Sequence, residues 1–80
     1  MRTQNMIHPG EVLREEFMKP LGISKSALAT ALNISETRID EIINERCEIS
    51  SKEALCLGEY FKTTSEFWMN LQINYNSQIH

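Results

Sequence analysis

Residues 34–44 read ISETRIDEIIN. Ser35 has the short hydroxyl side chain that caps a helix by accepting a hydrogen bond from a free N–H of the first turn. Ile39, Ile42 and Ile43 then recur at the spacing that gathers them on one side of a helix. Thr37, Arg38 and Glu41 fall on other sides and are expected to face solvent. Immediately upstream, Ser24 caps a second pattern, in which Ala27, Leu28, Ala31 and Leu32 are expected to face one way and Asn33 to supply a left-handed end. Only Asn33, Ile34 and Ser35 separate the two patterns. Two short capped helices joined so tightly match the helix-turn-helix plan.

The flanks continue the helical periodicity. In HPGEVLREEF, residues 8–17, His8 stands at a helix start and Pro9 suits the first helical position, where its missing N–H costs nothing. Val12, Leu13 and Phe17 form an apolar stripe; Pro20 is expected to stop the helix and Gly22 to turn the chain. SSKEALCLGEYF, residues 50–61, opens on a capping box of Ser50 with Glu53 and lines Ala54, Leu57, Gly58 and Phe61 on one face. TTSEFWMNLQINYNSQIH, residues 63–80, opens on Thr63 with Glu66 or on Thr64 as cap, and carries a stripe of Phe67, Trp68, Leu71 and Tyr75. Trp68 is expected in the core with Phe17 and Phe61 as companions, because aromatic side chains carry much of the burial in small domains. No segment alternates with a period of two. The expected fold is therefore all-α with five helices, a single domain over residues 8–80 preceded by a flexible arm at residues 1–7.

Composition narrows the function. The chain has 80 residues, 41% of them hydrophobic, and a formal net charge of −3. That is enough for one thin core and too apolar for disorder. Any positive surface for nucleic acid must be local. Nothing approaches a membrane span, and no basic-then-apolar leader opens the sequence. The cysteines, Cys47 and Cys56, lack the spacing of a zinc site and read as reduced thiols of a cytoplasmic protein, so no metal or other cofactor is expected. No nucleophile–base set and no glycine-rich phosphate loop is present, which argues against an enzyme.

If the helix pair meets DNA, the early residues of the second helix enter the major groove. These are Glu36, Thr37 and Arg38, with Glu41 one turn on. Arg38 suits a guanine edge, Thr37 a polar contact or a thymine methyl, and either glutamate the cytosine amino group. Ser24, Lys25 and Ser26, at the start of the preceding helix, and Asn44 and Arg46, beyond the reading helix, are placed for phosphates. The cations between residues 24 and 46 are only Lys25, Arg38 and Arg46, so one copy is expected to bind weakly and two copies on a two-fold site to bind better. The same residues also admit a plainer role: Arg38 paired with carboxylates of its own helix, Lys25 and Arg46 simply solvated.

The order of segments goes further. HPGEVLREEFMKPLGIS, ALATALNIS, RIDEIINER, ISSKEALCLGEYF and TTSEFWMNLQ, together nearly all of residues 8–75, resemble the HigA/VapI-type antitoxins, a branch of the phage-repressor (XRE/Cro-like) helix-turn-helix proteins. The opening HPGEVLREEF and the closing SEFWMNLQ are specific to that branch. The resemblance implies a five-helix domain that dimerises, binds an operator in its own promoter, and neutralises a HigB-type, RelE-like mRNA-cleaving toxin. It places base reading on Glu36, Thr37, Arg38 and Glu41, and phosphate contact near Ser24, Lys25, Asn44 and Arg46. The charge-free last helix is expected to contribute to the homodimer through Leu71, Ile73 and Tyr75. Two departures stand out: Glu45 occupies a position where glycine is common, and Thr64-Ser65 replaces a usual Ser-Pro. The first removes positive charge near the expected phosphate contacts, which keeps open a toxin-binding protein with little DNA affinity. A free-standing phage-type regulator is the other alternative.

Overall fold

The computed structural model describes residues 7–79, and residues 1–6 of the expected arm lie outside the described residues. Five helices follow one another: α1 over residues 9–21, α2 Lys25–Leu32, α3 Glu36–Ile43, α4 Ser51–Phe61 and α5 Ser65–Ile79. No strand occurs among the described residues. The all-α expectation and the tight α2–α3 pairing hold.

Each start is set by a side-chain cap. His8 Nδ1 accepts from the Gly10 N–H at 2.8 Å, and Pro9 follows at the first helical position. The hydroxyls of Ser24 and Ser35 accept from the N–H groups of Ala27 and Arg38, each at 3.1 Å. Ser50 and Glu53 complete the anticipated capping box at 3.1 and 2.8 Å. For α5 the cap is Thr64, which accepts from the Phe67 N–H at 3.1 Å. Thr63 does something else: its Oγ1 accepts from Trp68 Nε1 at 2.9 Å, giving the buried indole the partner it needs.

Helix ends share one geometry. Gly22, Asn33, Glu45 and Lys62 all take left-handed φ angles, of 65°, 57°, 61° and 62°. The next residue's N–H then reaches back to a carbonyl of the last turn, from Ile23 to Met18, Ile34 to Ala29, Arg46 to Glu41 and Thr63 to Gly58. This is the Schellman closure, which satisfies carbonyls a helix end leaves open. Gly22 and Asn33 suit it; Glu45 and Lys62 carry the Cβ penalty.

Pro20 does not stop α1. The helix is α over Pro9–Val12, widens to a π-turn over Leu13–Met18, and resumes as α over Lys19–Leu21. A proline inside a regular helix lacks a donor and its ring strikes the carbonyl four residues back. The wider turn bonds the Lys19 N–H to the Arg14 carbonyl instead, which displaces the backbone around Pro20. Gly22 provides the actual end.

The core gathers Leu13, Met18, Leu28, Leu32, Ile39, Ile42, Leu57 and a fully buried Trp68. Phe17 lies 5.3 Å from Trp68 and 4.6 Å from Phe61, ring centre to ring centre, as anticipated. Two stripes differ from expectation. In α2 it is Leu28, Ala29 and Leu32 that are buried, whereas Ala27 and Ala31 face outward. In α5 Phe67 is exposed and Gln72 takes an inward place, its Oε1 accepting the Ile49 N–H at 2.9 Å. A glutamine there closes an otherwise open backbone donor, which outweighs its polarity.

Two glycines allow close packing. A Cβ on Gly10 would sit 1.8 Å from the Ile42 carbonyl oxygen, and one on Gly58 2.8 Å from the Thr64 carbonyl carbon. Gly10 thus lets α1 lie directly against the end of α3. Arg14, one turn on, donates to the Ile43 carbonyl and pairs with Glu45 at 3.5 Å.

Candidate nucleic-acid interface

The Ser35 cap fixes α3 so that its isoleucines point inward and Glu36 and Thr37 stand exposed at its leading end. The start of α2 lies beside them. Lys25 Nζ donates to Asp40 Oδ1 at 2.8 Å, and Lys25, Glu36, Thr37 and Asp40 line one open depression. Ser24 and Ser26 are exposed next to it, 3.4 Å apart at their hydroxyl oxygens. Helix α2 therefore presents its N-terminal end, where backbone N–H groups and the helix dipole favour an anion, alongside the outer strip of α3.

Charges on this surface are mutually engaged. The hydrogen bond to Asp40 holds the Lys25 ammonium above its usual pKa, and the same contact holds the Asp40 carboxyl below its own. Both groups are open to water, so the pair is weak and a phosphate can compete for Lys25. Asn44 and Arg46 are exposed at the far end of α3, and the Asn44 amide donates to the Asp40 carbonyl at 2.9 Å.

Arg38 departs from the outward projection expected of it. Its guanidinium turns along the protein surface to Glu53 on α4, donating from Nε and Nη2 at 2.5 and 2.8 Å, and also to the Glu48 carbonyl at 2.7 Å. Glu41 of the same helix is only a distant partner, at 4.0 Å. Glu53 is 8% exposed and also closes the α4 capping box. The bidentate bond to Arg38 holds the Glu53 carboxyl below the usual range, and raises the already high pKa of Arg38. Removing one partner of a buried pair costs about 3–5 kcal/mol. With the Arg38 side chain 32% exposed, solvent screening brings that to about 2 kcal/mol. A bidentate guanine contact is worth about 1–3 kcal/mol. The two are of similar size, and the further bond to the Glu48 carbonyl tips the balance toward the protein contact.

Glu36, Thr37 and the half-buried Glu41 remain on the outer side of α3. Cys47 is half-buried beside Arg38, and burial pushes its thiol pKa up, away from reactivity. Among the described residues no group of His, Cys, Asp and Glu is placed to hold a metal. No described helix is long and apolar enough to cross a membrane.

The three α5 residues expected at a dimer contact do not share a face. Leu71 packs on the core and Tyr75 meets the His8 ring edge-on at 4.8 Å, while Ile73 is 56% exposed. At about 100° per residue, positions 71 and 75 align and position 73 points away from both.

The fold recurs in solved structures. The Pseudomonas aeruginosa antitoxin HigA, solved with the higBA promoter, matches with a TM-score of 0.90 and 46% identity over 92% of this chain and 80% of that one. The antitoxin GraA matches with a TM-score of 0.92 and 43% identity, over 96% and 83%. The chain belongs to the HigA/VapI-type antitoxin family of helix-turn-helix regulators. Virulence-associated protein I of Dichelobacter nodosus is another relative, 49% identical over 70 residues, 88% of this chain. This chain spans 65% of the length of that protein. No family model matches the chain. Glu45 sits at the left-handed end of α3, where glycine is the unstrained residue.

The residues that sequence reasoning missed are those paired across elements. Asp40 engages Lys25, Glu53 engages Arg38, and Arg14 caps α3 from α1. Periodicity places each on its own helix and says nothing of the helix opposite.

Proposed function

We propose that this chain is the antitoxin of a HigB/HigA-type module. As a homodimer it binds a two-fold operator in its own promoter and represses transcription. It also neutralises a RelE-like, mRNA-cleaving toxin; both tasks are cytoplasmic and neither is catalytic. The supporting observation is the exposed leading strip of α3, Glu36 and Thr37, set beside the Ser24–Lys25–Ser26 start of α2. A relative of the same fold is named as solved with promoter DNA. Glu36, Thr37 and Glu41 face the bases; Ser24, Lys25, Ser26, Asn44 and Arg46 take phosphates; Ile73 is the open apolar position of α5 for a second copy.

Gel-shift with the protein's own upstream DNA tests this. The expected result is a protected two-fold site with half-sites roughly 10 bp apart. A charge at Ile73 shifts sedimentation toward monomer. Affinity for that DNA equal to random duplex defeats operator binding.

A second reading has its own support in the engagement of Lys25 and Arg38 with carboxylates. It is a toxin-binding protein with little DNA affinity, and tight toxin binding without operator preference selects it. A free-standing regulator is separated from both by the adjacent gene: a small, basic RelE-like reading frame marks the antitoxin.

A further inference from the structure

We propose that Glu53 determines operator specificity without touching DNA, by withdrawing Arg38 from the groove and leaving an acceptor-rich strip to read the bases. The inference rests on the DNA-binding function proposed above and names the class of base it selects. Arg38 lies in the first turn of α3, at a position from which a guanidinium reaches a guanine edge. Here three of its five N–H donors, including the Nε–Nη2 fork, are engaged elsewhere: two on the Glu53 carboxylate and one on the Glu48 carbonyl. Glu53 is held in turn by the Ser50 N–H and lies almost wholly buried, so it cannot follow Arg38 outward.

What α3 then offers the groove is Glu36, Thr37 and Glu41. Ionised carboxylates only accept hydrogen bonds. In the major groove they are met by the cytosine N4 and adenine N6 amino groups and repelled by guanine O6 and N7 and thymine O4. Each half-site therefore presents an amino group, cytosine before others, to the α3 strip. Guanine is not read by Arg38. Arg38 becomes a positioning residue that ties α3 to α4 and fixes the tilt at which the strip enters.

The test is selection from a pool of randomised 30-base-pair duplexes (roughly three helical turns). It uses the full chain, Arg38→Met, Glu53→Gln and Glu36→Gln, each checked for folding by circular dichroism. The parent enriches sites with cytosine facing the strip. Arg38→Met keeps the same base preferences and loses affinity evenly across sequences. Glu36→Gln weakens the cytosine preference by about tenfold at one position. Glu53→Gln releases the guanidinium and adds a guanine preference, again about tenfold, at a position where the parent has none. If Arg38→Met erases a guanine preference in the parent, Arg38 reads a base and the inference falls while operator binding stands. If the folded parent enriches nothing, operator binding fails and the inference with it. Should Glu53→Gln not fold, the Arg38→Met selection decides alone.

Discussion

At its C-terminal end α3 is gripped by backbone. Gly10 lets α1 approach until no side chain would fit before the Ile42 carbonyl, and Arg14 covers the Ile43 carbonyl. At its N-terminal end the same helix is held by side-chain charge, through Arg38 with Glu53 and Lys25 with Asp40. The Gly10 approach depends on shape and is indifferent to salt and pH. The charged contacts are partly solvated, are screened by salt and depend on ionised carboxylates. A helix fixed by packing at its rear and by ions at its front can be tuned at the front without losing the fold.

The sharpest challenge to that contrast is Gly10→Ala. With the added carbon 1.8 Å from a backbone oxygen, α1 and α3 must separate. The expected loss is about 3 kcal/mol, read as a lower urea midpoint at unchanged slope. A parent-like midpoint would mean that the rear contact yields easily and the contrast fails.

Glu53→Gln comes next, with a loss of about 2 kcal/mol, since a partly solvated partner is left without its counter-charge. Its pH signature is specific. The folded pKa of Glu53 is depressed, so its contribution is full above the ordinary glutamate pKa and is lost as pH falls below about 4.5. Thermal midpoints followed through that range should drop less steeply in the Gln variant than in the parent. Gly10→Ala should keep the parent's pH profile. Equal profiles for Glu53→Gln and the parent would remove Glu53 from the account.

Glu45→Gly sharpens the contrast from the other side. It relieves a left-handed glutamate and gives up its 3.5 Å contact with Arg14. The expected gain is about 0.5 kcal/mol in denaturant titration. A loss instead would give the Arg14 pairing more weight than its length suggests. The smallest effect on stability belongs to Lys25→Ala, whose exposed pair should leave the melting point unmoved. On operator DNA the same change should lower the salt-dependence slope by about one counterion.

The sequence shows one end of α3 better than the other. The Ser35 cap, the Ile39–Ile42–Ile43 stripe and the Asn33 turn are local signals, each written within a few residues, and all appear as expected. The Ser50–Glu53 capping box was legible too, yet its glutamate has a second partner fifteen residues upstream that no local rule reveals. Arg38 was placed on the correct side of α3 and still points to α4, because a long side chain chooses among partners that only the tertiary structure supplies. Pro20 misled for a related reason: its rule assumes a regular helix, and α1 is not one. Gln72 was hidden by its polarity, since its inward turn answers a lone N–H on Ile49.

That irregularity in α1 carries its own consequence. Leu13 and Met18 are both buried, yet in a regular helix residues five apart diverge by about 140°. The widened turn absorbs one surplus residue and so brings the two side chains into phase with the same interior. Chain length, more than side-chain identity, is the quantity under constraint there. Taking out a single residue between 13 and 18 would set the two four apart, only about 40° from alignment in a regular helix, so the turn could close with both still inward, and Pro20 would then meet the carbonyl clash that the wide turn now spares it.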